Sequence, residues 1–249
     1  MTRYKIVLGY DGSAYAGWQI QPGHSTVQAT LQDAIFRVTT EKVIAHGSGR
    51  TDQGVHARRQ VVHVDLERDG DVVTALRKGL NAVLPPDIRV DQVRRVRSDF
   101  DARRSAIRKE YRYFIWNGPV VPPFLRLYRT QIRDPLDVAA MARAARLLEG
   151  KHDFAAFTAN PNRFVETTVR HLSRLSVTRR GSEIVISATA DGFLYKMVRS
   201  LAGFLIRVGE GAVPPEGARV ILHSRERTAR VPTAPPQGLF LWQVTYPRH

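Results

Sequence analysis

The 249-residue sequence contains no cysteine, which excludes disulfide bonds and thiolate metal sites. It also lacks any apolar run approaching the roughly 20 residues that a helix needs to span a bilayer. Its first ten residues lack the apolar block of a signal peptide. We find no low-complexity tract and no flexible linker. These absences lead us to expect a soluble, cytoplasmic protein with no membrane partner.

Acidic residues are scarce relative to basic ones, with 23 Asp and Glu against 38 Lys and Arg and a formal net charge of +15. Only six of the basic residues are lysine, so arginine, whose planar fork binds phosphate in two places, dominates. Such an excess indicates a polyanionic partner, most often nucleic acid. The alternative is that most of these arginines are solvated and reflect the composition of the host genome.

Two halves emerge from the periodicity of apolar residues. In the first, the patterns predict strands at 3–10, 43–47, 60–66 and 87–96, and helices at 26–39 and 71–84. In the second, they predict strands at 109–116, 174–179, 183–189 and 238–246, and helices at 135–148, 192–208 and 215–223, with Phe193 and Phe204 of the helix at 192–208 in the core. We therefore expect an α+β protein of two halves, 1–105 and 106–249, each a sheet backed by helices. We expect the two halves to share one continuous sheet.

The polar segment at residues 47–56 is the strongest candidate for chemistry. It places Asp52 between Gly49 and Gly54, two residues after Arg50. Glycine permits unusual backbone angles and close approach of a ligand. A neighbouring guanidinium favours the ionised form of a carboxyl group. An ionised carboxylate on a tight loop acts as a nucleophile or a base.

Other interpretations of this loop remain open from the residues alone. No Gly-Lys-Ser/Thr follows, so it is not a Walker loop, and Asp52 occupies the third glycine position of the dinucleotide fingerprint. A turn in which Asp52 binds its own backbone is the structural alternative. The histidines show no recognised metal-ligand spacing, so we expect no metal site; those considered are His24, His46, His56 and His63.

Residues 49–57 read Gly-Arg-Thr-Asp-Gln-Gly-Val-His-Ala, and five further segments accompany them. These contain Tyr10, Asp11, Gly12, Tyr15, Gly17, Trp18 and Gln19; Phe100, Ala102, Arg103, Ser105, Ala106, Tyr111 and Tyr113; His152, Asp153, Phe154 and Phe157; Gly192, Phe193, Leu194, Met197, Val198 and Arg199; and a closing group of Ala234, Pro235, Pro236, Gly238 and Leu239. Together they resemble the TruA family of pseudouridine synthases over nearly the whole chain. The resemblance implies the pseudouridine synthase fold, in which two similar ferredoxin-like halves share a mostly antiparallel mixed sheet with helices on one side.

The resemblance also implies an activity and a site. The expected reaction isomerises uridine to pseudouridine at positions 38, 39 and 40 of the tRNA anticodon stem-loop, without a cofactor. Asp52, in the N-terminal half, would be the essential catalytic carboxylate, and the C-terminal half would complete the cleft. Arg50 would enter the space left by the flipped base, Tyr111 would stack on the uracil, and Arg199 would pair with Asp52. A homodimer is implied as well.

Three positions depart from the family pattern. Ser48 and Gln53 stand where alanine is frequent, and Arg104 stands where an aromatic residue is common. Gln53, beside the nucleophile, is a candidate position for altered substrate preference. Two other hypotheses compete with the enzyme: a catalytically silent RNA-binding protein or RNA chaperone, and a nucleotide-binding enzyme that uses the glycine-rich loop for phosphate.

Overall fold

The computed structural model describes residues 1–67, 73–159 and 166–247. The chain divides into two compact units. The first contains Met1–Ile107 and Phe240–His249, and the second is Arg108–Leu239. The C-terminal residues group with the first unit because Phe240 and Leu241 pair in parallel with His56 and Ala57.

The described part of the chain forms ten strands and five α-helices. The strands are β1 (Thr2–Tyr10), β2 (His46–Gly47), β3 (His56–Leu66), β4 (Ile88–Arg95), β5 (Arg108–Asn117), β6 (Thr130–Ile132), β7 (Gly150–Asp153), β8 (Val169–Arg180), β9 (Glu183–Ala190) and β10 (Leu239–Thr245). The helices are α1 (Val27–Thr39), α2 (Val73–Val83), α3 (Val138–Leu148), α4 (Met197–Gly209) and α5 (Gly217–Ser224).

In the first unit, β1 lies between β3 and β4 and is antiparallel to both. Ile6 on β1 aligns with Val62 on one side and Val93 on the other, and all three are buried. Helix α1 begins after Thr26, whose side-chain oxygen accepts from the backbone N–H of Ala29. This is the N-cap that satisfies a free donor of the first turn.

In the second unit, β9 lies between β5 and β8, and β7 pairs with β8, all antiparallel. The short β6 runs parallel to β5. Helix α3 packs on β8 and on α4. Most residues of α4 are buried, so this helix forms much of the unit's core, with Phe204 fully enclosed as the sequence predicts. Helices combined with mostly antiparallel pairing confirm the α+β class.

Helix α4 corrects one sequence prediction. The apolar pattern predicts a helix from residue 192, but α4 begins at Met197. Lys196 adopts the left-handed conformation, with φ of 56°, which the backbone of a right-handed helix cannot include. Phe193 therefore precedes the helix and is only partly buried, rather than being part of its core.

Other boundaries differ as well. The predicted strand at 43–47 reduces to His46–Gly47, and that at 174–179 extends to Val169–Arg180. Helix α2 is described from Val73, so residue 71, where the sequence predicts its start, lies outside the described residues.

Candidate active site

The loop at residues 48–55 connects two paired strands. Gly47 of β2 aligns with Val62 of β3, so the loop leaves and re-enters the same sheet. Within it the N–H of Val55 donates to the carbonyl of Asp52 at 3.1 Å, and Gly54 has a φ of 73°. Asp52 is partly exposed and Arg50 is exposed. The loop thus presents a carboxylate and a guanidinium from one tight turn.

The opening segment of the chain anchors the residue before Asp52. The N–H of Trp18 donates to the Thr51 carbonyl at 3.0 Å. The hydroxyls of Tyr10 and Thr51 are 2.8 Å apart in a buried hydrogen bond. Burial raises the pKa of Tyr10 to about 12, so this phenol stays neutral at physiological pH. Both the main chain and the side chain of Thr51 are therefore fixed, which limits the positions available to Asp52.

Two glycines of the same opening segment make this close approach possible. A Cβ on Gly12 would lie 2.1 Å from the carbonyl oxygen of Val55, and one on Gly17 would lie 2.6 Å from that of Thr51. Gly17 also has a φ of 105°, which side chains rarely adopt. These glycines belong to the motif noted in the sequence, but their role as supports for the Asp52 loop depends on contacts more than 30 residues apart in the chain.

Ser48 and Gln60 hold the base of the loop. The Ser48 hydroxyl donates to Oε1 of Gln60 at 2.7 Å, and Nε2 of Gln60 donates to the Gly49 carbonyl at 2.9 Å. Both side chains are fully buried. The serine that departs from the family pattern is thus a buried, satisfied donor. Sequence reasoning missed Gln60, although a buried glutamine within an apolar strand was a signal.

His56 joins the end of the loop to the opening segment. Its Nδ1 accepts from the Gly12 N–H at 3.1 Å and also lies 3.1 Å from Oδ1 of Asp11. One ring nitrogen cannot accept from an N–H and donate to a carboxylate together. In the bond from Gly12, Nδ1 is the acceptor. The ring stacks on Phe240, with centroids 4.6 Å apart.

The second unit contributes the other two predicted site residues. Tyr111 lies on β5 opposite Ala188, is 8% exposed and meets the ring of Phe193 edge-on, with centroids 5.1 Å apart. Arg199 lies in the first turn of α4. Its Nε donates to the Ala234 carbonyl at 2.7 Å, and the Ala234 N–H donates back to the Arg199 carbonyl at 3.0 Å. Each of these side chains has a defined local support.

The structure places Arg50 and Asp52 on one loop of the first unit, and Tyr111 and Arg199 on separate elements of the second. Gln53 is exposed. Arg104 is exposed as well, and its N–H donates to Oδ1 of Asp101 in a turn. An aromatic side chain is therefore not needed there to fill a core position.

The described residues also bear on metal binding and on membrane insertion. No group of three or more His, Asp or Glu side chains there is arranged to bind a metal ion. His46 and His63 stack with ring centroids 4.7 Å apart, but Nδ1 of His63 accepts from the Ala102 N–H. Of the helices described, none has both the length and the apolarity needed to cross a bilayer.

Comparison with known proteins agrees with the motif resemblance. The sequence model of a family described as tRNA pseudouridine synthase matches residues 6–103 and 144–247. A protein of Methylobacterium sp. (strain 4-46) named tRNA pseudouridine synthase A is 46% identical over 248 residues, which are 99% of this chain and 98% of that protein.

Two further relatives give the same result. The tRNA pseudouridine synthase A of Moorella thermoacetica is 46% identical over 250 residues, and that of Brevibacillus brevis is 43% identical over 246 residues. Each alignment covers 99% of this chain and the whole of the relative. The chain therefore belongs to the tRNA pseudouridine synthases, a family of isomerases, and has their fold.

Proposed function

We propose that this protein isomerises uridine to pseudouridine at positions 38, 39 and 40 of the tRNA anticodon stem-loop, with Asp52 as the essential carboxylate. The observation that carries the proposal is the loop at residues 48–55. It exposes part of Asp52 while Thr51, immediately before it, is held by two hydrogen bonds. Such preorganisation of a reacting group is what positional catalysis requires.

The reaction needs no external oxidant, reductant or group donor. The bond from ribose C1′ to uracil N1 breaks, the base turns, and C1′ bonds to C5. The C5 proton leaves and N1 gains a proton, so the product has the same atoms as the substrate. A carboxylate serves by attacking the sugar, attacking the base or removing a sugar proton. All three roles require an accessible, ionised Asp52.

The target uridine must leave the stack before it reacts, because enzymes that act on a base extrude it into a pocket. We assign the exposed Arg50 to the space that the base vacates. Tyr111 stacks on the flipped uracil, and the edge contact from Phe193 supports its ring. Arg199 pairs with Asp52 and fixes its orientation. These roles follow the family resemblance.

The formal charge of +15 suits a protein that follows an RNA backbone with its arginines. We propose a cytoplasmic homodimer that binds the tRNA anticodon arm and requires no small-molecule cofactor. Sedimentation equilibrium over a hundredfold range of protein concentration tests the dimer, and a monomer throughout that range would contradict it.

Release of tritium from a tRNA transcript labelled at uracil C5 tests the activity. Wild-type protein releases tritium to water, and Asp52→Asn lowers the rate by more than about a thousandfold, as expected for an essential group. Asp33→Asn is the matched control, because Asp33 is exposed on α1 of the same unit. It should release tritium at the wild-type rate.

Each alternative outcome has a definite meaning. No release by folded wild-type protein that binds tRNA would favour the silent RNA-binding protein. Release by both wild type and Asp52→Asn would retain the activity and remove Asp52 from its role. Release confined to tRNAs with a uridine at positions 38, 39 or 40 supports the proposed target sites, whereas release from transcripts lacking all three contradicts them.

A further inference from the structure

Residues 227–238, which we call the strap, connect α5 to β10 and lie against two elements of the second unit. The strap contacts α4 closely: a Cβ on Gly203 would lie 2.0 Å from the Pro232 carbonyl oxygen. It also contacts β5, where the Tyr113 hydroxyl donates to the Pro235 carbonyl at 2.9 Å. The strap therefore lies along the two elements that carry Arg199 and Tyr111.

Ala234, between these contacts, is a hydrogen-bond partner of Arg199. The Ala234 carbonyl accepts from Nε of Arg199 at 2.7 Å, and the Ala234 N–H donates to the Arg199 carbonyl at 3.0 Å. The direction of the Arg199 guanidinium thus depends on where the strap holds the Ala234 carbonyl. A shift of the strap would move this acceptor and turn the side chain that it orients.

Arg227 holds the strap on the N-terminal side of Ala234, whereas Pro235 lies on the C-terminal side. Its Nη1 donates to the Ser200 hydroxyl at 2.7 Å and to the Thr158 carbonyl at 3.2 Å, while its Nη2 donates to the Thr233 hydroxyl at 2.8 Å. Ser200 is fully buried beside Arg199 in α4, and Thr233 directly precedes Ala234. One guanidinium therefore joins the first turn of α4 to the strap next to the Arg199 acceptor.

The contacts of the Arg227 guanidinium are those of a residue that supports the local structure, not those of a cation exposed at the surface. All three groups that accept from Arg227 are neutral oxygens, and burial lowers the pKa of its guanidinium. The planar guanidinium of arginine donates to three acceptors in fixed directions. The ammonium group of lysine cannot reproduce this geometry. Geometry, rather than charge, is thus what this arginine supplies.

We propose that Arg227 is a positioning residue for Arg199: it clamps the strap to α4 so that the Ala234 carbonyl directs the Arg199 guanidinium. This inference rests on the proposed function, because it assigns Arg227 to the same site through Arg199. Arg227 itself does not contact the reacting atoms in this scheme. Its removal slows the chemical step without weakening the binding of tRNA.

Single-turnover tritium release at saturating tRNA, together with the tRNA dissociation constant, tests this assignment. Arg227→Met and Arg227→Lys each slow the chemical step by about tenfold to a hundredfold, as small misplacements of catalytic groups do. Their tRNA affinity stays within about twofold of wild type, because no phosphate contact is lost. Arg230→Met is the matched control and should equal wild type, since Arg230 is an exposed residue of the strap.

The decisive comparison repeats Arg227→Met in an Arg199→Ala background. If Arg227 acts through Arg199, the double variant is as slow as Arg199→Ala alone, because residues that act as a unit are not additive. A further, additive loss would overturn the proposal. Weaker tRNA binding that Arg227→Lys restores would also overturn it, and would assign Arg227 to an RNA phosphate instead.

Two further measurements distinguish a wrong role for Arg227 from misfolding of its variants and from a wrong proposed function. Thr233→Val keeps the guanidinium and removes one acceptor, so it provides the same test if the Arg227 variants do not fold. A smaller loss that vanishes in the Arg199→Ala background supports the clamp, and an additive loss contradicts it. Absence of turnover in wild type would refute the proposed function itself, whereas a fully active Arg199→Ala variant would refute only the role of Arg199 and the clamp.

Discussion

At the scale of single residues, the loop that carries the candidate Asp52 is held by contacts from other parts of the chain. The motif at residues 49–57 is contiguous, so it can be found by reading along the chain. Its supports come from elsewhere: Tyr10 and Gly17 from the opening segment, and Gln60 from β3. Such contacts depend on the sheet register, which local patterns do not specify.

Gly17 allows a direct test of this support. Gly17→Ala adds a Cβ 2.6 Å from the Thr51 carbonyl oxygen at a φ of 105°. Gly23→Ala is the control, because Gly23 also has positive φ (74°) but no atom lies within 4 Å of its Cβ position. We expect Gly17→Ala to cost about 1–3 kcal/mol more than the control, from the steric overlap. Urea unfolding measures the difference, and tritium release should fall with it. Equal stabilities of the two variants would contradict the proposed close packing.

At the scale of elements, long periodic segments were predicted well and short ones were not. Helix α1 matches its predicted span because an N-cap and an apolar face coincide. Strands β6 and β7 were missed, since three or four residues carry no usable alternation and form strands only by pairing with β5 and β8. The start of α4 was placed too early because apolar spacing continues through residues 193 and 194.

The left-handed residue before α4 has a measurable cost. At φ of 56°, Lys196 retains a Cβ that disfavours this conformation, and glycine would not. We expect Lys196→Gly to be more stable than Lys196→Ala by about 1 kcal/mol, because both remove the charge and only alanine keeps the strain. Chemical denaturation of the two variants provides the measurement. A more stable alanine variant would show that residue 196 prefers the right-handed region and that α4 begins earlier.

At the scale of the whole molecule, charge was the property most directly readable from sequence. A formal charge of +15 indicates polyanion binding before any motif is recognised. The sequence does not reveal which chain segments form each compact unit, because the assignment of Phe240–His249 depends on a parallel pairing across the length of the chain.

Because electrostatic attraction contributes to tRNA binding, we expect the affinity for tRNA to depend steeply on salt concentration. We expect the affinity for tRNA to fall by about a thousandfold or more between 50 and 200 mM NaCl, if several phosphates are contacted. Asp52→Asn should show the same slope, because the substitution removes no phosphate contact. Fluorescence anisotropy with labelled tRNA measures both. A change of only about threefold would indicate that few arginines reach the RNA backbone.

The first unit is made of two separate segments of the chain, and this has a consequence for its synthesis on the ribosome. Residues 1–107 emerge first, yet the residues that pair beside β3, Phe240 and Leu241, are translated after the entire second unit. The second unit is continuous in sequence, and continuous units assemble as they emerge. We therefore expect the unit that begins the chain to be the last to be completed, and a nascent chain arrested before residue 240 to hold the Asp52 loop on an unfinished sheet.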